Sequence, residues 1–169
     1  MLNTFIVANI EFSGNTGVST KEDGVELFKG SDCLKRLWRN IYYTFEGTGG
    51  EVLLSNIDDK RGLEYCGADL LEHAKNMKER NITDRVLSCE GDSFFLTNQD
   101  AYRWVPKETF SSSTATFVYA DKLAYFIWSK NIVILVHCKE ASDAEREHFE
   151  AMWAKAKIPQ SAENNKKTA

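Results

Sequence analysis

The feature of this sequence that most constrains its fold is the order of its apolar segments, which changes character halfway along the chain. The first half alternates short β-branched runs with helical patterns: residues 4–10, 25–28, 51–55 and 83–88 are predicted strands, and a helix is predicted after the second and the third of them. A strand–helix–strand–helix–strand order predicts right-handed crossovers and a largely parallel sheet.

Both predicted helices carry an apolar stripe at three- and four-residue spacing. The first is expected to begin at Ser31 or Asp32, whose side chains cap free backbone N–H groups, and to end at residues 47–50 (G-T-G-G). The second follows the polar turn 56–62 and is expected to end near Asn81.

The second half contains four strand candidates with very short connections, at residues 93–96, 114–119, 123–128 and 131–137, so antiparallel pairing is expected there. A last helix is predicted over 141–157. We therefore expect one α/β domain over residues 1–158, built as a mixed sheet of six or seven strands with helices packed on it, and a disordered polar tail over residues 159–169.

Composition excludes several classes of protein. The 169 residues include 21 basic and 25 acidic side chains, a net charge of -4 that disfavours binding to a phosphate backbone. No apolar run approaches the ~20 residues that span a bilayer, and residues 1–10 lack the basic region of a secretory signal. We therefore expect a cytoplasmic protein without a membrane partner.

The cysteine spacing predicts neither a zinc site nor a disulfide framework. Cys33, Cys66, Cys89 and Cys138 are too far apart for a short loop to present two thiolates to a metal. We expect buried thiols in a reducing compartment, with no metal and no cofactor. A metal site formed by Cys66, His73 and Cys138 stays open as an alternative.

The segment 102–157 carries the most specific pattern. It contains R-W-V-P-K-E-T-F-S-S-S-T-A-T-F-V-Y-A-D-K-L-A-Y-F-I-W, then N-I-V-I-L-V, and then A-S-D-A-E-R-E-H-F-E-A-M-W-A-K-A-K. This pattern resembles the end of a phospholipase-D-like domain, especially the effector domain of TrmB-type transcriptional regulators. V-E-L-F-K-G-S-D-C-L-K-R-L-W-R-N-I and E-V-L-L-S-N are similar to the opening of the same domain. The resemblance spans residues 25–157 and implies a phospholipase-D-like fold.

The catalytic form of that fold carries H-x-K-x4-D, in which the histidine attacks phosphorus and the lysine binds the phosphate oxygens. The matching positions here are Thr114, Thr116 and Asp121, so only the acid remains. A threonine hydroxyl without an adjacent base cannot replace an imidazole nucleophile, and the cation that would stabilise charge on phosphorus is missing. The resemblance therefore implies a domain with no catalytic residues.

The expected function is that of a non-catalytic sensor or interaction domain, which binds a small polar ligand or a partner protein. Ligand sites in open α/β sheets lie where strands meet loops. The predicted polar pocket consists of Asn56, Arg103, Thr114, Thr116 and Asp121.

The resemblance also bears on partners. A phospholipase D can consist of two similar halves that meet, and such domains resemble one of these halves. A homodimer with an isologous interface is therefore a hypothesis. A winged helix does not fit into the 24 or so residues before Val25, so direct DNA binding is not expected.

Two other functions stay open from the sequence. One is a phosphodiesterase with a non-standard site that uses His137, Cys138 or Asp121, and the other is an adaptor that binds only protein. His73 and His148 are expected on helix surfaces.

Overall fold

The computed structural model describes residues 24–160. The predicted strand at residues 4–10 and the part of the predicted tail at residues 161–169 lie outside the described residues. The strands are β1 (Gly24–Lys29), β2 (Gly50–Ile57), β3 (Ile82–Cys89), β4 (Tyr102–Val105), β5 (Thr114–Tyr119), β6 (Lys122–Ile127) and β7 (Ile132–His137). The helices are α1 (Cys33–Thr44), α2 (Asp59–Cys66), α3 (Ala68–Glu79) and α4 (Lys139–Trp153).

The strands form a single mixed sheet of seven, in the order β1-β7-β6-β5-β2-β3-β4, so the predicted fold class is confirmed. β2, β3 and β4 pair in parallel, and the hairpins β5–β6 and β6–β7 are antiparallel as expected. The expectation of a largely parallel sheet was wrong beyond those three strands. The reason is that β5 pairs antiparallel with β2, and the β5–β7 meander then separates β2 from β1, which pairs antiparallel with β7.

One strand prediction was wrong. Residues 93–96 form no strand, because their backbone N–H groups bond to side chains: Phe94 N donates to Asp92 at 3.1 Å and Leu96 N donates to Asp59 at 3.0 Å. The strand beside β3 is instead β4, at residues 102–105, which the sequence did not reveal.

The helix boundaries also differ from the predicted ones. The second predicted helix is two helices, α2 and α3, broken at Gly67, whose φ of 57° lies in the left-handed region. The last helix begins at Lys139 and ends at Trp153. The chain beyond it returns to the sheet, where Lys157 forms a β-bridge with Trp104. Pro159 is buried, and its carbonyl accepts a hydrogen bond from Gln99.

The sheet has an apolar core on each face. Helices α1 to α3 cover one face, where Leu37, Ile41 and Phe126 are almost fully buried. Helix α4 covers part of the other face, where Phe149 packs on Leu53 and Val118. None of the described helices has the length and apolar character needed to cross a membrane. The two faces are therefore separate environments, and side chains alternate between them along each strand.

Candidate functional site

Thr114 and Thr116 lie on β5, near the middle of the sheet, and point to the face that α4 covers. They lie four and two residues before Val118, which packs against Phe149 of α4, so the three side chains share one face of the sheet. Thr116 is 5% exposed and pairs with Ser55 of β2 on one side and with Tyr125 of β6 on the other. The two threonines thus occupy neighbouring levels of one sheet face, Thr116 buried and Thr114 nearer the end of the strand.

A group of hydroxyls surrounds the start of β5. The Ser111 Oγ lies 3.0 Å from the Ser113 Oγ and 3.5 Å from the Thr114 Oγ1. Asn56 holds this loop in place, because its Oδ1 accepts a 2.9 Å hydrogen bond from the Ser111 backbone N–H. Asn56 sits at an irregularity in β2 with a φ of 60°, a conformation that asparagine tolerates better than most residues. We call Ser111, Ser113 and Thr114 the hydroxyl cluster.

A basic side chain that the sequence did not single out reaches the same loop. The Arg61 Nη1 donates a hydrogen bond to the Ser112 carbonyl, and its guanidinium lies 4.6 Å from the centre of the Trp128 ring. Arg61 is placed by the start of α2, where the Asp58 side chain caps the helix by accepting from Arg61 N at 2.9 Å. The sequence carries no signal for this contact, since 51 residues separate Arg61 from Ser112.

Asp121 and Arg103 lie away from the hydroxyl cluster. Asp121 follows the opposite end of β5, about 20 Å from Thr114 at the usual rise per strand residue. There its carboxylate is 3.1 Å from Lys122 Nζ. Arg103 is on β4, three strands and about 14 Å across the sheet from Thr116. Its guanidinium packs 4.8 Å from the Trp153 ring and donates to the Tyr102 carbonyl.

The five residues of the predicted pocket are thus not brought together as one group. The structure gathers Asn56, Thr114 and Thr116 on neighbouring strands and places Arg103 and Asp121 elsewhere. A ligand-binding role for any of them stays a prediction.

None of the three histidines of the chain lies at the hydroxyl cluster. His137 pairs with Lys122 at the Asp121 end of the sheet, and its Nε2 is 2.6 Å from Glu26 Oε1. His148 is exposed on α4. His73 belongs to the opposite face, where it stacks on Trp38 with ring centres 4.4 Å apart. No imidazole is therefore placed to act as a base on Thr114.

The surroundings of His73 correct the expectation of a surface residue. Its Nδ1 lies 2.5 Å from the Tyr42 hydroxyl, and burial lowers the pKa of His73 to about 3. The four cysteines are unpaired, and burial raises the pKa of Cys66 to about 11. Between residues 24 and 160, no three His, Cys, Asp or Glu side chains are grouped so that they could hold a metal ion.

Comparison with solved structures decides the fold type. The phospholipase D family member Nuc from Salmonella typhimurium superimposes with a TM-score of 0.56 at 8% identity, over 83% of this chain and 100% of Nuc. The fold is phospholipase-D-like. NucT from Helicobacter pylori gives a TM-score of 0.51 at 12% identity, over 82% of this chain and 100% of NucT.

A TrmB-type protein has a similar fold, in agreement with the resemblance in the sequence. TrmBL2, an archaeal chromatin protein with a novel mode of DNA binding, superimposes with a TM-score of 0.52 at 12% identity. The match covers 84% of this chain and 57% of TrmBL2, so this chain spans little more than half the length of that relative. No protein-family model matches the sequence, and no curated protein is similar to it.

Proposed function

We propose that this chain is a non-catalytic phospholipase-D-like domain that binds a small polar ligand at the hydroxyl cluster. The proposal is supported by the pair of threonines, Thr114 and Thr116, which the resemblance in sequence aligns with the histidine and lysine of the catalytic motif. Thr116 is buried, and no imidazole lies beside Thr114. Hydroxyls in this setting form hydrogen bonds and do not attack phosphorus.

The chemistry of the site favours a ligand with several hydrogen-bonding groups or a negative charge. The hydroxyl cluster offers groups that both donate and accept, and the Arg61 guanidinium next to it can hold an anion. The Ser112 carbonyl accepts from only one nitrogen of Arg61, which leaves further N–H donors of that side chain for a ligand.

A titration with named probes tests this proposal. AMP, glucose and inorganic phosphate would each be titrated into the protein while its amide NMR spectrum is recorded. We expect one probe to shift the amides of residues 111–114, and Thr114→Val and Arg61→Met to weaken that probe at least tenfold. Arg103→Met is the matched control, because Arg103 is equally basic but packs on Trp153. Equal loss in the control, or no shift with any probe, would contradict the proposal.

The alternative is a phosphodiesterase with a non-standard site, which the likeness to the phospholipase D family member Nuc favours. Hydrolysis of bis(p-nitrophenyl) phosphate separates the two functions. We expect no turnover above the uncatalysed rate. Turnover that is lost in His137→Gln, Cys138→Ser or Asp121→Asn would establish the alternative.

The partners proposed from the sequence also require solution tests. We propose a homodimer and a regulatory role as an interaction domain, in the cytoplasm, without direct DNA binding. The net charge of -4 supports the last point, although the structural relative TrmBL2 binds DNA. A monomer in sedimentation at tens of micromolar would contradict the homodimer, and a salt-sensitive gel shift of duplex DNA would contradict the absence of DNA binding.

A further inference from the structure

A cavity of about 80 Å³, partly open to the surface, lies on the opposite face of the sheet from the hydroxyl cluster. It is bounded by the sheet and by α1, α2 and α3, and its walls include the rings of Trp38, Phe117, Phe126 and Trp128. Because a water molecule takes about 30 Å³ in the liquid, this space suits two or three waters or one ion of a few non-hydrogen atoms.

One end of the cavity is acidic. Asp59 and Asp84 both line it, together with the hydroxyl-bearing residues Thr97 and Tyr102. Asp59 is only 7% exposed, and Asp84 is partly buried. No lysine or arginine contributes to the cavity wall, and His73, which does, has a pKa near 3 and is therefore neutral. Buried carboxylates usually have a basic partner, and these two have none in the wall.

The hydrogen bonds of Asp59 leave one of its oxygens available. Tyr102 OH and Leu96 N both donate to Oδ2, and no described residue donates to Oδ1. Asp59 is one of the residues that line the cavity, so its unpartnered Oδ1 is the oxygen that remains for a ligand there.

Asp84 offers a second acceptor and a route of entry. Its Oδ1 accepts a long hydrogen bond of 3.4 Å from Thr97 Oγ1, and its carboxylate also interacts with its own backbone N–H. Five residues of the cavity wall also line an open groove along α3 and β3 on the outside of the protein: Ala74, Met77, Asp84, Leu96 and Thr97. These residues therefore form the boundary between the groove and the cavity.

We propose that this cavity binds a small organic cation, such as a short alkylammonium ion, between the carboxylates of Asp59 and Asp84 and the aromatic rings that face them. The ammonium group would donate hydrogen bonds to Asp59 Oδ1 and to Asp84. The alkyl group would lie against the rings, whose faces attract positive charge. A divalent metal fits less well, because no three His, Cys, Asp or Glu side chains of residues 24–160 are grouped to hold one, and most of the cavity wall is apolar.

The charges around Asp59 predict how binding depends on pH. Burial raises the pKa of Asp59, and the negative charges of Asp92 after β3 and Asp58 at the start of α2 add to this, against the hydrogen bonds from Tyr102 and Leu96, which lower it. Burial and the charge of Asp59 raise the pKa of Asp84 on β3. Tyr102 and His73, the titratable groups from β4 and α3, carry no charge near neutral pH. A cation should therefore bind more tightly at pH 8 than at pH 5.

The test is a titration of the protein with ethylammonium chloride. The NMR resonances of the Leu96 amide and of the Trp38 and Trp128 indoles monitor binding. Ethanol is the neutral probe of similar size, and sodium chloride controls for ionic strength. We expect saturable shifts with ethylammonium alone, at least tenfold weaker binding in Asp59→Asn, and weaker binding at pH 5. Asp100→Asn, which changes an exposed acid in the neighbouring turn, should bind as the unchanged protein does.

Any of three results would overturn the proposal: no saturable shift with ethylammonium, the same shift with ethanol, or undiminished binding of ethylammonium to Asp59→Asn. If Asp59→Asn does not fold, as judged by circular dichroism, Asp84→Asn takes its place with the same expected loss. The hydroxyl cluster lies on the other face of the sheet, so its Thr114→Val variant should bind ethylammonium normally, and the two proposals fail or succeed independently.

Discussion

The Arg85 side chain joins the sheet to α4, and its removal has an effect that can be worked out from the structure. Arg85 donates two 3.0 Å hydrogen bonds to Glu51 on β2 and two further bonds, of 2.5 and 2.9 Å, to Glu150 on α4. Its guanidinium also lies 5.3 Å from the ring centres of Phe149 and Trp153. One side chain thus ties together three elements of the α4 face.

We expect Arg85→Met to lower the free energy of unfolding by about 2 kcal/mol. Both glutamates are 41–48% exposed, so each ion pair contributes at most about 1 kcal/mol. The contact with the rings adds about 0.5 kcal/mol at a partly exposed site. Methionine keeps most of the apolar contact of the arginine stem, so the loss reports mainly the charged head group.

Urea unfolding at low salt measures this loss, and salt and pH identify its origin. The difference between Arg85→Met and the unchanged protein should shrink at 1 M salt, where the screening length is about 3 Å. Arg85 lowers the pKa of Glu150, so this pair stabilises fully above the ordinary glutamate pKa of 4.5. Its contribution is lost as the pH falls through the lower pKa of the folded state.

The matched control is Lys35→Met, which removes a cation from a more exposed pair with Asp69. We expect that change to lower the free energy of unfolding clearly less than Arg85→Met does, because an exposed ion pair contributes little. The reasoning about Arg85 is refuted if Arg85→Met costs no more than the control, or if its cost is unchanged by salt and by acid.

Three further predictions concern the core. Gly50→Ala should destabilise the protein by more than 1 kcal/mol in urea unfolding, because the added Cβ would lie 2.2 Å from the Phe45 ring; a neutral result would show that the ring moves away freely. Phe149→Ala should lower the free energy of unfolding by about 4 kcal/mol, because Phe149 is buried. Met152→Ala on the same helix should lower it far less, because Met152 is 36% exposed, and similar losses would contradict the assignment of the α4 core. The NMR signals of the His73 ring should not titrate between pH 5 and 8, and titration near pH 6.5 would contradict its burial. The free energy of unfolding should fall as the pH drops from 6.5 toward 3, because His73 takes up a proton more readily in the unfolded state than in the folded state.

Local pattern was sufficient to predict most of the elements and the fold type. The apolar runs that became β2, β3, β5, β6 and β7 were recognised because strands buried in a sheet need β-branched and aromatic side chains. The stripe that contains Leu37 and Ile41 identified α1 for the corresponding reason. The pattern over residues 102–157 then indicated the phospholipase-D-like fold that Nuc and TrmBL2 share.

Sequence pattern failed where distant residues supply the hydrogen bonds. Residues 93–96 have the composition of a strand, but their N–H groups are taken by Asp59 and Asp92, and β4 forms instead from a segment of mixed polarity. His73 appeared exposed from its polar neighbours along α3, and it is covered by Trp38 and Tyr42 from α1.

The residues of the two proposed sites also divide into those that the sequence singled out and those that only the fold brought together. By itself the sequence led to the prediction, through its resemblance to the phospholipase-D-like domain, that Thr114 and Thr116 occupy the positions of the catalytic histidine and lysine, since this comparison needs only residue identities along one strand. The tertiary structure alone decided which polar groups meet. It brought Asn56 and Arg61 to the loop before Thr114 and kept Arg103 three strands away. It also placed Asp59 and Asp84 in the wall of one cavity that no lysine or arginine lines. Neighbours across a sheet are set by strand order and register, and the order β5-β2-β3-β4 depends on pairing between segments far apart in the chain.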